Sequence, residues 1–260
     1  MSTVADITAF VQELAPFHLA EEWDNVGLLV GRREQPVKRL MTCLTVTPAS
    51  AAEAIRERAD LIVTHHPLPF LATRRLTDET TVGRLLLDLI AARVAVFSAH
   101  TAFDSAGEGI NQRLAEGLGL GDIRPLIPHA EGHGSGRLGT LQTPLSLKEL
   151  AQRLKVFLGI EHLQMVGQDA QRVNTVAVAC GAAGEFLEAA NRQGCEAMVV
   201  GETRFHTCLE AEALGMGLLL PGHFASERFA METLAEVLAG QFPELSVWAS
   251  RAERDPIEWR

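Results

Sequence analysis

Apolar residues recur along this chain with two periods. Val4, Ile7, Phe10, Val11 and Leu14 keep helical spacing, and Pro16 closes that helix. Glu21 to Gly31 reads as a turn leading into a short strand, with Asp24 and Asn25 as local turn formers, a site role being the alternative, and Trp23 as a packing anchor. Leu40 to Val46 reads as a strand. Thr47-Pro48 then supplies an N-cap and a proline at the first helical position, and Ala51 to Ala59 is the predicted helix. That helix feeds directly into the apolar run Leu61-Ile62-Val63, so strand, helix and strand follow one another and predict parallel pairing.

A second such unit follows. Thr81 to Arg93 is helical, with Val82, Leu85, Leu86 and Leu89 on one face, and Val94 to Phe97 is the next strand. A helix over Ile110 to Leu118 comes next. Residues 119–139 are rich in Gly, Pro and His. They predict an irregular connection at a lobe boundary, with His129 and His133 as loop histidines. Ser146-Leu-Lys-Glu149 is a capping box that opens a helix through Phe157. Strands over Val173 to Ala179, Ala197 to Val200 and Leu218 to Leu220 alternate with helices. A long helix to about Ala239, a strand over Leu245 to Ala249 and an exposed charged tail complete the chain. The pattern predicts an α/β fold in two lobes, about residues 1–125 and 126–260, with one intertwined domain as the alternative.

Composition narrows the function. At 260 residues and 47% hydrophobic the chain can bury a sizeable core, and with aromatics at 5% and no tyrosine that core must be aliphatic. The formal net charge of −10 argues against nucleic acid and against anionic membranes, because phosphates need an excess of Lys and Arg. Cys43, Cys180, Cys195 and Cys208 form no C-x-x-C pair and read as buried thiols in a reducing compartment. No signal-peptide pattern opens the chain and no apolar run reaches membrane-spanning length, so a cytoplasmic location is expected.

The candidate chemistry gathers at predicted strand exits. His65 and His66 end the strand that begins at Leu61, and the pair reads either as two metal ligands or as one packed and one exposed imidazole. His100 and Asp104 follow the next strand, Glu202 and His206 the strand at Ala197, and His223 and Glu227 the strand at Leu218. In open α/β sheets ligands bind beyond the carboxyl ends of the strands. His223 and Glu227 lie four apart, so a helix starting near Gly222 puts both on one face. Imidazoles with carboxylates suit a binuclear Zn, Mn, Fe or Co centre rather than a closed cysteine-rich zinc site.

Glu22-Trp-Asp-Asn-Val-Gly27, Thr64-His-His-Pro67, Ser98-Ala-His-Thr101 with Asp104, Gly201-Glu202 with His206, and Gly222-His223 with Glu227 resemble the signatures of the NIF3-like family, the GTP cyclohydrolase I type 2 homologues. The resemblance implies two α/β lobes with two divalent metal ions in the cleft at the strand C-terminal ends. It implies His65, His66, Asp104, His223 and Glu227 as ligands, with Glu227 bridging. His100, Glu202 and His206 are then the catalytic or supporting candidates. It further implies a homo-oligomer, a hexamer, and a metal-dependent hydrolase that uses a metal-bridging water on an unidentified small-molecule substrate. The alternative is a non-enzymatic protein for metal handling or metallocentre assembly, or an oligomeric scaffold or regulatory partner.

Overall fold

The computed structural model describes residues 1–130 and 132–258. In chain order the elements are α1 Val4–Leu14, β1 Gly27–Val30, β2 Arg39–Cys43, α2 Pro48–Arg56, β3 Leu61–Thr64, α3 Thr81–Ala91, β4 Ala95–Ser98, α4 His100–Ser105 and α5 Ile110–Gly117. Then come β5 Leu120–Ala130, β6 His133–Ser146, α6 Leu147–Leu158, β7 Gln164–Val166, β8 Arg172–Ala179, α7 Leu187–Arg192, β9 Ala197–Val200, α8 Phe205–Leu214, β10 Gly217–Leu220, α9 His223–Gln241 and β11 Ser246–Ala249. Two compact units result. The first holds Met1–Phe103 and Ala230–Pro256, and the second holds Asp104–Phe229 with Ile257 and Glu258. The chain therefore leaves the first unit within α4, earlier than the expected boundary near residue 125, and re-enters it within α9. None of the described helices is long and apolar enough to cross a membrane.

The first unit has a five-stranded sheet in the order β1-β4-β3-β2-β11. β11, β2, β3 and β4 run parallel, and β1 is antiparallel to β4. The parallel pairing follows from the α2 crossover, whose N-cap Thr47 and Pro48 sit as the local sequence predicts; Ser50 completes a capping box, and the helix ends at Arg56, short of the expected Ala59. Met41, Ile62, Leu85, Leu89, Val96 and Trp248 share its core. On α3, Gly83 rather than Val82 joins the buried face. A Cβ on Gly83 would lie 1.8 Å from the Thr77 carbonyl, and Val82 is left 37% exposed.

The last strand belongs to this sheet and not to a second lobe, since Val247 and Trp248 pair with Leu40 and Met41. The tail after it is not simply exposed. The buried Glu53 carboxylate accepts from Trp248 Nε1, Ser250 Oγ, Arg251 N and Ala252 N, and buried Glu253 accepts from Leu44 N and Thr45 N. The last two residues of the expected tail lie outside the described ones.

The second unit has a six-stranded sheet in the order β5-β6-β8-β9-β10-β7, parallel across β8, β9 and β10 and antiparallel elsewhere. Alternation along the strands fills both faces. Val176, Val178, Val199 and Leu219 pack with α5 and α6, while Ala177, Ala179, Met198, Val200, Leu218 and Leu220 pack with α7 and α8.

The segment expected to be irregular is instead the long hairpin β5–β6. Its prolines, Pro125 and Pro128, lie on the edge strand, where a missing N–H is tolerated. Gly134 allows the strands to close, because a Cβ there would lie 2.1 Å from the Ile127 carbonyl. His129 and His133 are thus strand residues. Ser135 Oγ pairs with His129 Nε2 at 3.1 Å, and His133 Nδ1 accepts from Gly107 N at 3.1 Å.

Glu53 generates a test. Burial pushes its carboxyl up, yet the bonds from Ser250, Arg251, Ala252 and Trp248 outweigh this and hold it below the ordinary 4.5. A depressed carboxyl contributes stability that is present above its unfolded value and lost as pH falls through its folded one. Glu53→Ala strands buried donors and is expected to cost about 3 kcal/mol in chemical denaturation at pH 7. The difference between variant and wild type should shrink as pH drops below 4.5.

Candidate metal centre

In the first unit the β2–β3 ladder continues beyond the strands. His65 N donates to the Cys43 carbonyl at 3.0 Å and His66 N to the Leu44 carbonyl at 2.8 Å. The β4 exit completes the group. Ser98 Oγ donates to the His65 carbonyl, and His100 begins α4 with φ of 28°, a left-handed backbone that a non-glycine residue adopts at a cost. One ring nitrogen from each of His65, His66 and His100 lies within 4.8 Å of the others. His65 and His100 are buried, and His66 is half-buried.

Two of these imidazoles are held by their Nδ1 atoms. Thr45 Oγ1 pairs with His66 Nδ1 at 2.7 Å, and Asp24 Oδ1 with His100 Nδ1 at 2.7 Å. Fixing Nδ1 assigns the ligand or proton-carrying role to Nε2. Asp24 is therefore much more than a turn former. Its side chain is fully buried, and it accepts from Thr101 N and Thr101 Oγ1 as well as from Asn25 N. Burial pushes the Asp24 carboxyl up, but the hydrogen bonds from His100 and Thr101 and the charge of His100 prevail and bring it down to about 2. Asn25 Nδ2 donates to the Pro69 carbonyl at 2.8 Å and ties this turn to the loop after the histidines. Trp23, expected to be packed, is 62% exposed.

In the second unit three parallel strands end together. Glu202 N donates to the Gly181 carbonyl, Gly222 N to the Gly201 carbonyl, and Gly181 N to Ser226 Oγ. Gly181 has φ of 63°, and a Cβ on it would lie 2.4 Å from Glu227 Oε1, so only glycine lets this carboxylate in. The helix does begin at His223, and His223 Nε2 lies 3.1 Å from Glu227 Oε2. Glu202 Oε1 holds the opposite nitrogen, Nδ1, at 2.9 Å.

Asp104 is placed from the same unit. Asn111 Nδ2 donates to its carbonyl, Asn111 Oδ1 accepts from Cys180 N, and Cys180 Sγ donates to Asp104 Oδ1 at 3.1 Å. Burial first, then the Asp104 and Glu227 charges, push the Cys180 thiol well above its ordinary range, so it is a hydrogen-bond donor rather than a nucleophile. Fully buried Arg137 secures the turn that follows Asp104. Its guanidinium donates to the Ser105, Ala106, Gly134 and Gly136 carbonyls and to Gln112 Oε1. His206 lies exposed on α8 beside the Phe205 ring.

The donors suit a borderline divalent ion. Two ligand atoms about 2.1 Å from one ion lie roughly 3.0–3.4 Å apart for angles between octahedral and tetrahedral. The separation between His223 and Glu227 falls in that range, so the pair is close enough to share one ion in place of a proton.

Fold and site together define a two-sheet α/β protein with transition-metal donors at the C-terminal ends of parallel strands. The chain belongs to the Duf34/NIF3 (NGG1p interacting factor 3) family, whose model matches residues 2–256. It is 30% identical over 247 residues to the GTP cyclohydrolase 1 type 2 homolog of Clostridium acetobutylicum, covering 94% of this chain and 92% of that one. It is 31% identical over 260 residues to the protein NIF3 homolog of Schizosaccharomyces pombe, covering 92% and 91%. A Bacillus cereus protein related to NIF3 superposes with a TM-score of 0.92 over 100% of this chain and 99% of that one, at 21% identity.

His223 carries a pH signature. The hydrogen bond to Glu227 raises its pKa, burial opposes, the Glu227 charge and the Glu202 contact add, and the imidazole reaches about 9. A raised histidine stabilises the fold fully below its unfolded value, 6.5, and that contribution is lost as pH rises through about 9. Histidine NMR of chelator-treated protein should show this titration. Glu227→Gln should move it back towards 6.5 and remove the alkaline loss of stability.

Proposed function

We propose that this protein holds two divalent metal ions and uses them in hydrolysis. The residues that would hold them are His65, His66, Asp104, His223 and Glu227, with Glu227 as the candidate bridging carboxylate. The observation that carries this reading is the convergence of His65, His66 and His100 ring nitrogens within 4.8 Å, with the His66 and His100 rings held through Nδ1. Such an outer partner fixes the tautomer and orientation that a metal ligand or proton carrier needs. Divalent ions at such donors polarise a scissile bond and lower the pKa of water.

The chain's own residues divide the remaining work. His100 Nε2 is the proton carrier, because Asp24 holds Nδ1–H and stabilises the imidazolium once His100 takes a proton. Glu202 orients His223 through Nδ1. His206, exposed on its helix, has no comparable support for a catalytic role. Relatives carry the name GTP cyclohydrolase 1 type 2 homolog, and the opening of a C–N bond in a nucleotide ring is one reaction within this chemistry. A homo-oligomer, a hexamer, is the assembly we propose.

Elemental analysis of protein purified without affinity-tag metal decides the ligand set. Close to two ions per chain are expected in the wild type and well under one in an Asp104→Ala/His223→Ala variant. Equal metal in both would overturn the assignment. Because a ligand imidazole must lose its proton, metal affinity should rise about tenfold per pH unit from pH 6 to 8, and flatten above about 9 where His223 is already neutral.

A further inference from the structure

Aromatic side chains are scarce in this chain, with three Trp, eleven Phe and no Tyr. Two of them stand in solvent at the rim of the histidine cluster. Trp23 is 62% exposed and Phe70 is 49% exposed, and the adjoining Leu71 is 75% exposed. Exposing this much apolar surface costs free energy that packing would recover. The rings are nonetheless held in place. Their centroids are 6.0 Å apart, and each lies nearly perpendicular to the His100 ring, at 6.0 Å for Trp23 and 5.9 Å for Phe70 with interplanar angles of 78°. The bond from Asn25 Nδ2 to the Pro69 carbonyl locks together the two loops that carry them, and Asp24, next to Trp23, holds His100 itself. A rigid aromatic ledge is therefore fixed against the proton carrier.

We propose that Trp23 and Phe70 are specificity-determining residues, forming a platform on which a flat heteroaromatic ring of the substrate stacks, its reacting bond directed at His100. This rests on the hydrolase reading above and adds to it the surface that selects the substrate. The rings are too close together to sandwich a third ring between them, so stacking takes place on their outward faces. Stacking on aromatic faces tolerates different ring identities but requires flatness. An aliphatic ring of equal area should bind poorly.

The test is calorimetric titration of the full chain, as purified and after metal loading, with adenosine, ribose and cyclohexanol as probes. Adenosine is expected to bind at least about tenfold more tightly than either control. Trp23→Ala and Phe70→Ala should each weaken adenosine by about tenfold, and Trp23→Phe should stay within about threefold of wild type. No preference for adenosine, or equal adenosine binding by the alanine variants, overturns the proposal. So does a Trp23→Ala variant that keeps adenosine affinity but loses subunits in analytical ultracentrifugation, which would make this face a contact between copies. Metal content measured on the same samples separates the two readings. Wild type without metal that still loses adenosine on Trp23→Ala keeps the platform and removes the hydrolase, and metal-loaded wild type that ignores adenosine does the reverse.

Discussion

The pairing of β2 with β3 does not stop where the strands stop. Two further backbone bonds, His65 to Cys43 and His66 to Leu44, carry the register into the histidines and define where their side chains emerge. A slip of one residue would send each ring to the face opposite its own. Supporting bonds reinforce this register. Thr64 Oγ1 donates to the Leu44 carbonyl, Thr45 Oγ1 meets His66, and Glu253 caps the Leu44 and Thr45 amides. The donors of the first unit are thus properties of a ladder, and the ladder is propped by a residue more than two hundred positions away in sequence.

The second unit solves the same problem with small residues. Three strand exits meet at Gly181, Gly201 and Gly222, and the first two are too crowded for side chains; a Cβ on Gly201 would lie 2.6 Å from the Gly181 carbonyl, and one on Gly181 would lie 2.4 Å from Glu227 Oε1. The room this creates is taken by Glu227 and by Ser226, whose hydroxyl donates to the His223 carbonyl and accepts from Gly181 N. Arg137 plays the complementary part on the other side of Asp104. Its charge is compensated by neutral acceptors, mainly carbonyls of the turn it secures. Burial draws its pKa down to about 10, which still leaves the guanidinium charged and fully committed as a donor at neutral pH.

Much of this was legible in the sequence because it is local. The Thr47-Pro48 and Ser146 caps, the crossover between β2 and β3, and the i,i+4 relation of His223 and Glu227 need only short windows. What sequence reasoning missed is non-local. The hairpin at 120–146 has the composition of a loop because an edge strand tolerates proline and a close-packed hairpin demands glycine. β11 joins the first sheet through a pairing of residues about two hundred positions apart. Asp24 looked like a turn residue because it is one; only the tertiary structure reveals that the same carboxylate holds His100 and Thr101. An acidic residue inside a Trp-Asp-Asn turn, read together with a His-Thr pair at a strand exit, was the available signal.

The discontinuity of the first unit has a bearing on how the protein is made. A ribosome delivers the chain from the N-terminus, at about 5–20 residues per second. Residues 104–229 emerge as one uninterrupted stretch, so the second unit has all but its short C-terminal stub in hand as soon as they clear the exit tunnel. The first unit must wait. Until Ser246–Ala249 appears, β2 is an uncovered sheet edge, and until Glu253 appears the amides beside His66 lack their cap. For several seconds of synthesis the histidine-bearing half exists as an incomplete sheet with an open edge. Nascent chains in that interval are the ones exposed to mispairing and to chaperones.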